Sequence, residues 1–265
     1  MRSSIASPAP RTAPLKSAVY RLADRLAPNG VKRTVNGEHV RWPAAWSRHY
    51  AGEYQRPTHS FLERHVVPGS LAIDAGAHIG LFTVVMARRV GRGGHVVSVE
   101  PSHDSAAILD EVIRLNDLRE TVTVCRQPLS DASRETDFFV APYAACVGNS
   151  LVQTRPTDEV ERRVTTTIDD LVGAVSLPVS CMKIDVEGAE DAVLRGARAT
   201  VAAHRPALAL DIHASLFADP TASLRELWNT LAEYDYRVMH ESELVTEDWF
   251  MARTLPFEVH ATPLT

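Results

Sequence analysis

Apolar residues follow two rhythms along the chain, and the changes between them mark out its elements. Short unbroken apolar runs closed by turn residues read as buried strands, whereas apolar positions three and four apart read as helices with one packed face. By that measure strands occupy 71–74, 95–100, 121–125, 179–185 and 207–212, and helices occupy 58–65, 81–90, 106–115 and 189–203. A helix over 222–234 and two strands near 237–240 and 257–260 follow. Strands alternating with helices predict a doubly wound, mostly parallel α/β sheet, helices on both faces, with ligands at the carboxyl ends of the strands.

Two stretches break the alternation. Between 126 and 168 the runs at Phe138–Val140 and Val164–Ile168 read as an inserted β-hairpin, with Gly148-Asn149-Ser150 in the polar loop between them. At the other end, residues 1–14 are rich in Ser, Pro and Ala and are expected to be a disordered tail. An arm over 15–54 follows. Leu15, Val19, Leu22 and Leu26 share one helical face that Asn29-Gly30 ends. Val31–Val35 and Glu38–Trp42 flank Asn36-Gly37 as a two-residue hairpin. Trp42, Trp46, Tyr50 and Tyr54 then serve either to pack the arm or to cover a ligand. Residues 55–265 form the main domain.

Composition narrows the class. The 265 residues contain no apolar run near the ~20 residues that span a bilayer. Three scattered cysteines, Cys125, Cys146 and Cys181, lack metal-ligand spacing and suit a reducing, cytoplasmic setting. The net charge of −5 is uneven: residues 1–50 hold nine Lys/Arg against two Asp/Glu, a charge of +7. A basic arm on an acidic body can dock on that body, on a second subunit to give a homo-oligomer, or on an anionic partner. No basic patch is interleaved with aromatics, so nucleic acid is not expected as a partner.

The chemistry concentrates at strand ends. Residues 71–80 read LAIDAGAHIG: a buried strand, Asp74 at its close, then Gly76 and Gly80 bracketing a turn into a helix. Such a turn lets backbone N–H groups approach a nucleotide without a Cβ in the way. The spacing is not the G-x-G-x-x-G of dinucleotide folds. Glu100-Pro101 closes the next strand, where a carboxylate can accept from both ribose hydroxyls. Lys183-Ile184-Asp185 ends a later strand, with Glu187 and Glu190 following, and Asp211 and His213 close the one after. Asp185, Glu187, Asp211 and His213 are therefore expected at one mouth. His213 is the best general base by its ordinary pKa of about 6.5. The acids can hold a divalent cation such as Mg, orient a substrate or meet a cofactor amine; no residue is assigned as a metal ligand.

In order, IDAGAHIG, VEP, KIDVEGAEDAVLRGA and RPALALDIH resemble the FkbM family of S-adenosylmethionine (SAM)-dependent class I O-methyltransferases. The resemblance spans about residues 66–213. It implies a Rossmann-like sheet, SAM as cofactor, and methylation of a hydroxyl on a sugar, polyketide or related product of secondary metabolism. It places Asp74 and the loop residues Gly76, Ala77, His78, Gly80 and Leu81 at the methionine end, and Glu100, Pro101 and Ser102 at the ribose. Ser130 falls near the adenine, and Asp185 also faces the cofactor. Asp185, Glu187, His213 and Lys183 are the candidate catalytic residues, and Tyr54, Asn149, Ser150 and Glu190 the candidate substrate contacts. His78 stands where the family usually has Asn, and Asp211 where it has Glu. A nicotinamide oxidoreductase, or a SAM-fold subunit without catalysis, are the competing readings.

Overall fold

The computed structural model describes residues 25–50, 52–141, 149–156 and 158–264. The tail, most of the arm helix and Cys146 lie outside them. Asn36 and Gly37, both at positive φ, turn the chain between β1 (Val31–Val35) and β2 (Glu38–Trp42), the predicted hairpin. Next come α1 (Arg56–His65), β3 (Leu71–Ala75), α2 (Leu81–Val90), β4 (His95–Val99), α3 (His103–Leu115) and β5 (Val122–Cys125). A side hairpin, β6 (Glu135–Val140) and β7 (Glu159–Val164), precedes α4 (Ile168–Gly173), β8 (Val179–Ile184), α5 (Glu190–Arg195), α6 (Arg198–His204) and β9 (Ala207–Ile212). The chain ends with α7 (Pro220–Glu233), β10 (Tyr236–His240), β11 (Glu243–Leu244), α8 (Glu247–Met251) and β12 (Phe257–Pro263).

Eight strands form one sheet in the order β11-β10-β12-β9-β8-β3-β4-β5. β3, β4, β5, β8 and β9 run parallel, and β12 lies antiparallel between β9 and β10. The strand order reverses at β3, flanked by β4 on one side and β8 on the other, which opens a crevice at their carboxyl ends. Alternate residues of the strands feed two apolar layers: Leu71, Ile73, Leu208 and Leu210 pack in one, Ala72, Val96 and Ala209 in the other.

The second layer also takes in the arm. Val35, Val40 and Trp42 are buried in it, so the hairpin gains the third surface that two strands alone lack. Polar contacts fix its seat. Arg88 of α2 pairs with Glu38 at 2.8 Å, and Asn116, just past α3, exchanges hydrogen bonds with the Arg41 backbone at 3.0 and 2.8 Å. The described part of the arm thus docks on its own body. Among the described residues no helix is long and apolar enough to cross a membrane.

Three expectations need correction. The second strand of the side hairpin is 159–164, not 164–168. Neither face of its sequence EVERRV is buried, and it is held by pairing, with Arg162 reaching Asp137 at 2.9 Å and Glu135 at 3.2 Å. The run 164–168 that looked like a strand instead joins the end of β7 to the start of α4, whose first turn Thr167 caps by accepting from Asp170 N at 3.0 Å. The predicted helix over 189–203 breaks into α5 and α6 at Gly196. There a Cβ would stand 2.2 Å from Ser130 O, so only glycine admits the neighbouring loop.

Candidate functional site

A cavity of about 290 Å³ opens at the strand-order reversal. Its first wall is the turn after β3. Gly76 has φ +80°, and a Cβ on it would fall 1.8 Å from Asp185 O, so the ends of β3 and β8 meet only because this residue has no side chain. Three of the turn's amides are already used: Gly76 N and Ala77 N both donate to Val99 O at 3.0 Å, and His78 N donates to Glu100 Oε2 at 2.8 Å. Those three N–H groups are therefore not free for a ligand. The glycine brings two strand ends together instead. Ala77, His78, Leu81 and Phe82 line the wall.

Glu100 lines the cavity as expected, and each of its oxygens accepts one amide, from Ser102 N and from His78 N, both at 2.8 Å. A carboxylate oxygen has two lone pairs, so acceptor capacity remains for a diol. Burial pushes its pKa up to about 8, against the lowering effect of those two amides. Pro101, Pro128, Leu129 and Phe138 make the adjoining apolar slot.

The other wall is charged. Lys183, Asp185, Glu187, Asp211 and His213 all line it, so the predicted convergence of acids from the ends of β8 and β9 is present. Lys183 is buried, with Nζ 3.1 Å from Asp185 Oδ2, 3.3 Å from Gly76 O and 3.9 Å from Asp74 Oδ1. Burial would lower its pKa, but Asp185 and Asp74 outweigh that and hold it above its ordinary value. Burial pushes Glu187 up to about 7 and raises Asp211 as well. Glu187 sits at φ +55°, and Ser150 fastens this turn by donating to Glu187 O at 2.6 Å.

His213 behaves unlike its expected role. Nδ1 lies 2.9 Å from Glu190 Oε1 and Nε2 3.5 Å from Glu187 Oε2. Burial alone would lower its pKa, but the Glu190 hydrogen bond and the charges of Glu187 and Glu190 carry it up to about 10. At neutral pH the ring is an imidazolium and cannot take a proton from a substrate.

Other assigned residues sit behind the cavity. Asp74 is fully buried and accepts from Thr83 Oγ1 at 2.6 Å, beneath Lys183 and off the lining. Gly80, Ser102 and Ser130 are also off it; Ser130 Oγ bonds Asp131 at 3.2 Å. Glu190, expected at the substrate, is fully buried and serves Gly188 N and His213 instead. Tyr54, Asn149 and Ser150 do line the cavity, and Asn149 Oδ1 also accepts from Ala141 N at 2.7 Å. From the arm, Tyr50 joins Tyr54, with Tyr50 Oη 2.9 Å from His78 Nδ1; Trp46 does not reach the lining. Phe138, Phe82 and Gln55 are among the lining residues that escaped the sequence reading. Phe82 places its ring centre 5.4 Å from Lys183 Nζ, and Gln55 donates to Asp211 Oδ2 at 2.9 Å.

Residues 74–238 match the family model described as the methyltransferase FkbM domain. No curated protein matches the chain. Among solved structures, methyltransferase FkbM from Methylobacillus flagellatus KT is 18% identical with a TM-score of 0.47; the match covers 77% of this chain and 50% of that one, so this chain spans about half the length of that relative. The O-methyltransferase TomG from Streptomyces achromogenes, involved in tomaymycin synthesis and solved with SAM, is 11% identical with a TM-score of 0.48, over 80% of this chain and 81% of that one. The O-methyltransferase from Bacillus cereus, solved with SAH, is 15% identical with a TM-score of 0.46, over 80% and 82%.

Proposed function

The chain belongs to the FkbM methyltransferase family, and from that premise we propose that it transfers the methyl group of SAM to a hydroxyl of a sugar, polyketide or related natural product. One observation carries the reading: a single cavity has Glu100 and an apolar slot at one end and five charged side chains from the ends of β8 and β9 at the other. Methyl transfer from a sulfonium is an in-line displacement, in which the acceptor oxygen attacks behind the methyl carbon as the C–S bond breaks. The enzyme must align the two and exclude water. The ribose of SAM is assigned to Glu100 and the adenine to the slot formed by Pro101, Pro128, Leu129 and Phe138. The sulfonium then lies toward the carboxylates of the charged wall, which favour its positive charge. Asp185 and Glu187 are placed to meet the acceptor hydroxyl and its departing proton, while Tyr50 and Tyr54 close the cavity from the arm. The scattered cysteines, with Cys125 and Cys181 free thiols, support a cytoplasmic setting.

Calorimetric titration with SAM, S-adenosylhomocysteine (SAH) and NAD tests the cofactor directly, and NAD binding in place of SAM would overturn the reading. Glu100→Ala is expected to weaken SAM binding by about 1–3 kcal/mol, the scale for two lost hydrogen bonds. Unchanged affinity in the folded variant would remove Glu100 from the ribose. Its titration gives a second check. The carboxyl moves from an ordinary 4.5 to about 8 on folding, so between those values the unfolded chain binds fewer protons than the folded one. This group's contribution to stability therefore falls as pH rises from about 4.5 to about 8. The slope of melting temperature against pH should flatten in Glu100→Gln.

Asp185→Asn and Glu187→Gln address the charged wall. Each is expected to lower turnover by about 100-fold, the range of a lost proton-transfer group; Glu187→Gln should leave the melting temperature nearly unchanged, whereas Asp185→Asn, which takes a partner from buried Lys183, should lower it as well. A large fall in melting temperature with normal specific activity would make these acids structural.

A further inference from the structure

The arm is seated in a way that leaves its cations unused. Residues 25–50 carry Arg25, Lys32, Arg33, Arg41 and Arg48, all exposed, and one acid, Glu38. Docking uses that acid, on Arg88 of the body, together with the apolar Val35, Val40 and Trp42. None of the five cations meets a carboxylate among the described residues. On the body the pattern is different: Arg89, Arg126, Arg134, Arg195 and Arg225 each pair with an acid. Apolar contact and an acid hold the arm, and its positive charge faces outward.

Part of that charge is gathered on the outer face of the hairpin. Residues directly opposite across two strands share a face, and Lys32 stands opposite Arg41 and Thr34 opposite His39. All four are exposed, and none is an acid. Like charges set directly opposite are destabilising, so this pair does not serve the hairpin itself. An apolar residue adjoins them. Leu26 is 78% exposed, and the turn that follows it is held by Arg41 Nη1, which donates to Asn29 O at 3.1 Å. In sequence Leu26 closes the stripe Leu15, Val19, Leu22 and Leu26, interleaved with Lys16, Arg21 and Arg25. Of these, only Arg25 and Leu26 are among the described residues. A basic segment with an apolar stripe is the pattern of a helix that lies in a membrane interface.

We propose that the arm docks the protein on an anionic lipid surface, with Lys32 and Arg41 on headgroup phosphates and the stripe that ends at Leu26 lying in the interface without spanning the bilayer. Charge complementarity carries the choice of partner. The chain as a whole has a net charge of −5, so an anionic membrane repels it except where cations are gathered, and they are gathered here. Each Lys or Arg near such a surface strengthens binding by about five-fold. The apolar stripe separates lipid from nucleic acid, whose phosphates would attract the same cations but offer Leu26 no acyl layer. The outer face of the hairpin also has no Phe, Tyr or Trp on which a base could stack. The same arm sends Tyr50 and Tyr54 into the cavity, so docking face and cavity belong to one element. The inference does not rest on the methyltransferase reading, and calorimetry with SAM tests that reading without a membrane.

The test is co-sedimentation of the full chain with vesicles of phosphatidylcholine, with and without phosphatidylglycerol. Binding to the phosphatidylglycerol vesicles alone, weakened as salt rises, is the expected result. Lys32→Gln combined with Arg41→Gln should weaken it by about 10- to 30-fold, and Leu26→Gln should weaken it as well. All three positions are exposed, and removing the like-charged pair relieves repulsion, so the variants should keep the fold, which circular dichroism checks. Arg198→Gln with Arg237→Gln takes two exposed charges from the body and should leave binding unchanged. No binding of the parent chain to phosphatidylglycerol vesicles at low salt, equal binding to both kinds of vesicle, or equal losses in the arm and body variants overturns the proposal. So does a salt-sensitive dimer or RNA complex in place of vesicle binding, which would give this face to a second copy or to nucleic acid. If a variant misfolds, the salt series on the parent chain decides.

Discussion

Gly76→Ala is expected to destabilise the protein by roughly 3–4 kcal/mol and to abolish measurable SAM binding. Two penalties add at this position. Alanine at φ +80° carries about 1 kcal/mol of backbone strain. Its Cβ would also lie 1.8 Å from Asp185 O and 2.8 Å from Asp185 C, both backbone atoms that no side-chain rotation can move aside. Overpacking of this kind costs about 1–3 kcal/mol or more. The displacement reaches the chemistry directly, because Asp185 N donates to Ala75 O at 3.0 Å and the Asp185 carboxylate belongs to the charged wall. Gly69→Ala is the control: φ is +77° there, but nothing lies within 4 Å of the added Cβ. It should show the backbone strain alone. Equal unfolding midpoints for the two variants in denaturant would refute the close-approach account of Gly76.

Lys183→Met is the second large effect, an expected loss of about 3–5 kcal/mol, the scale for breaking a buried charge pair from one side. Methionine fills much the same volume against Phe82, so packing is nearly conserved and the change reads out charge. Without the ammonium, Asp74 keeps Thr83 as its hydrogen-bond partner among the described residues, its Oδ1 has none, and Asp185 loses its 3.1 Å contact. Adding Asp74→Asn removes the stranded carboxylate and should recover part of the loss, a coupling that a double-mutant cycle measures. Additive single effects would mean that Lys183 and Asp74, 3.9 Å apart, do not depend on one another.

What the sequence disclosed follows from how local its signals are. Strand ends announce themselves because a buried parallel strand is mostly apolar and an acid falls at or beside its carboxyl end. Hence Asp74, Glu100, Asp185 and Asp211 could be placed at one edge of the sheet before any contact was known. Direction was harder to read. Asp74 and Asp185 both end strands, yet one points under Lys183 and the other into the cavity. Charge state was illegible for a different reason: the imidazolium of His213 depends on Glu190, 23 residues away in the chain, whose own role looked like that of a substrate contact. β7 was missed because pairing, not burial, holds it, and Gln55 because nothing local marks a glutamine before a helix as the partner of a residue 156 positions later.

The place of β12 has a consequence for how the molecule is made. This strand sits between β9 and β10, yet it is synthesised after both. A ribosome adds about 5–20 residues per second. For the seconds before Phe257–Pro263 emerges, β9 and β10 wait with open edges on the two sides of an empty slot. One flank of the sheet can therefore zip only after translation of this region is finished, and a nascent chain stalled short of Phe257 exposes two strand edges to whatever strand comes near.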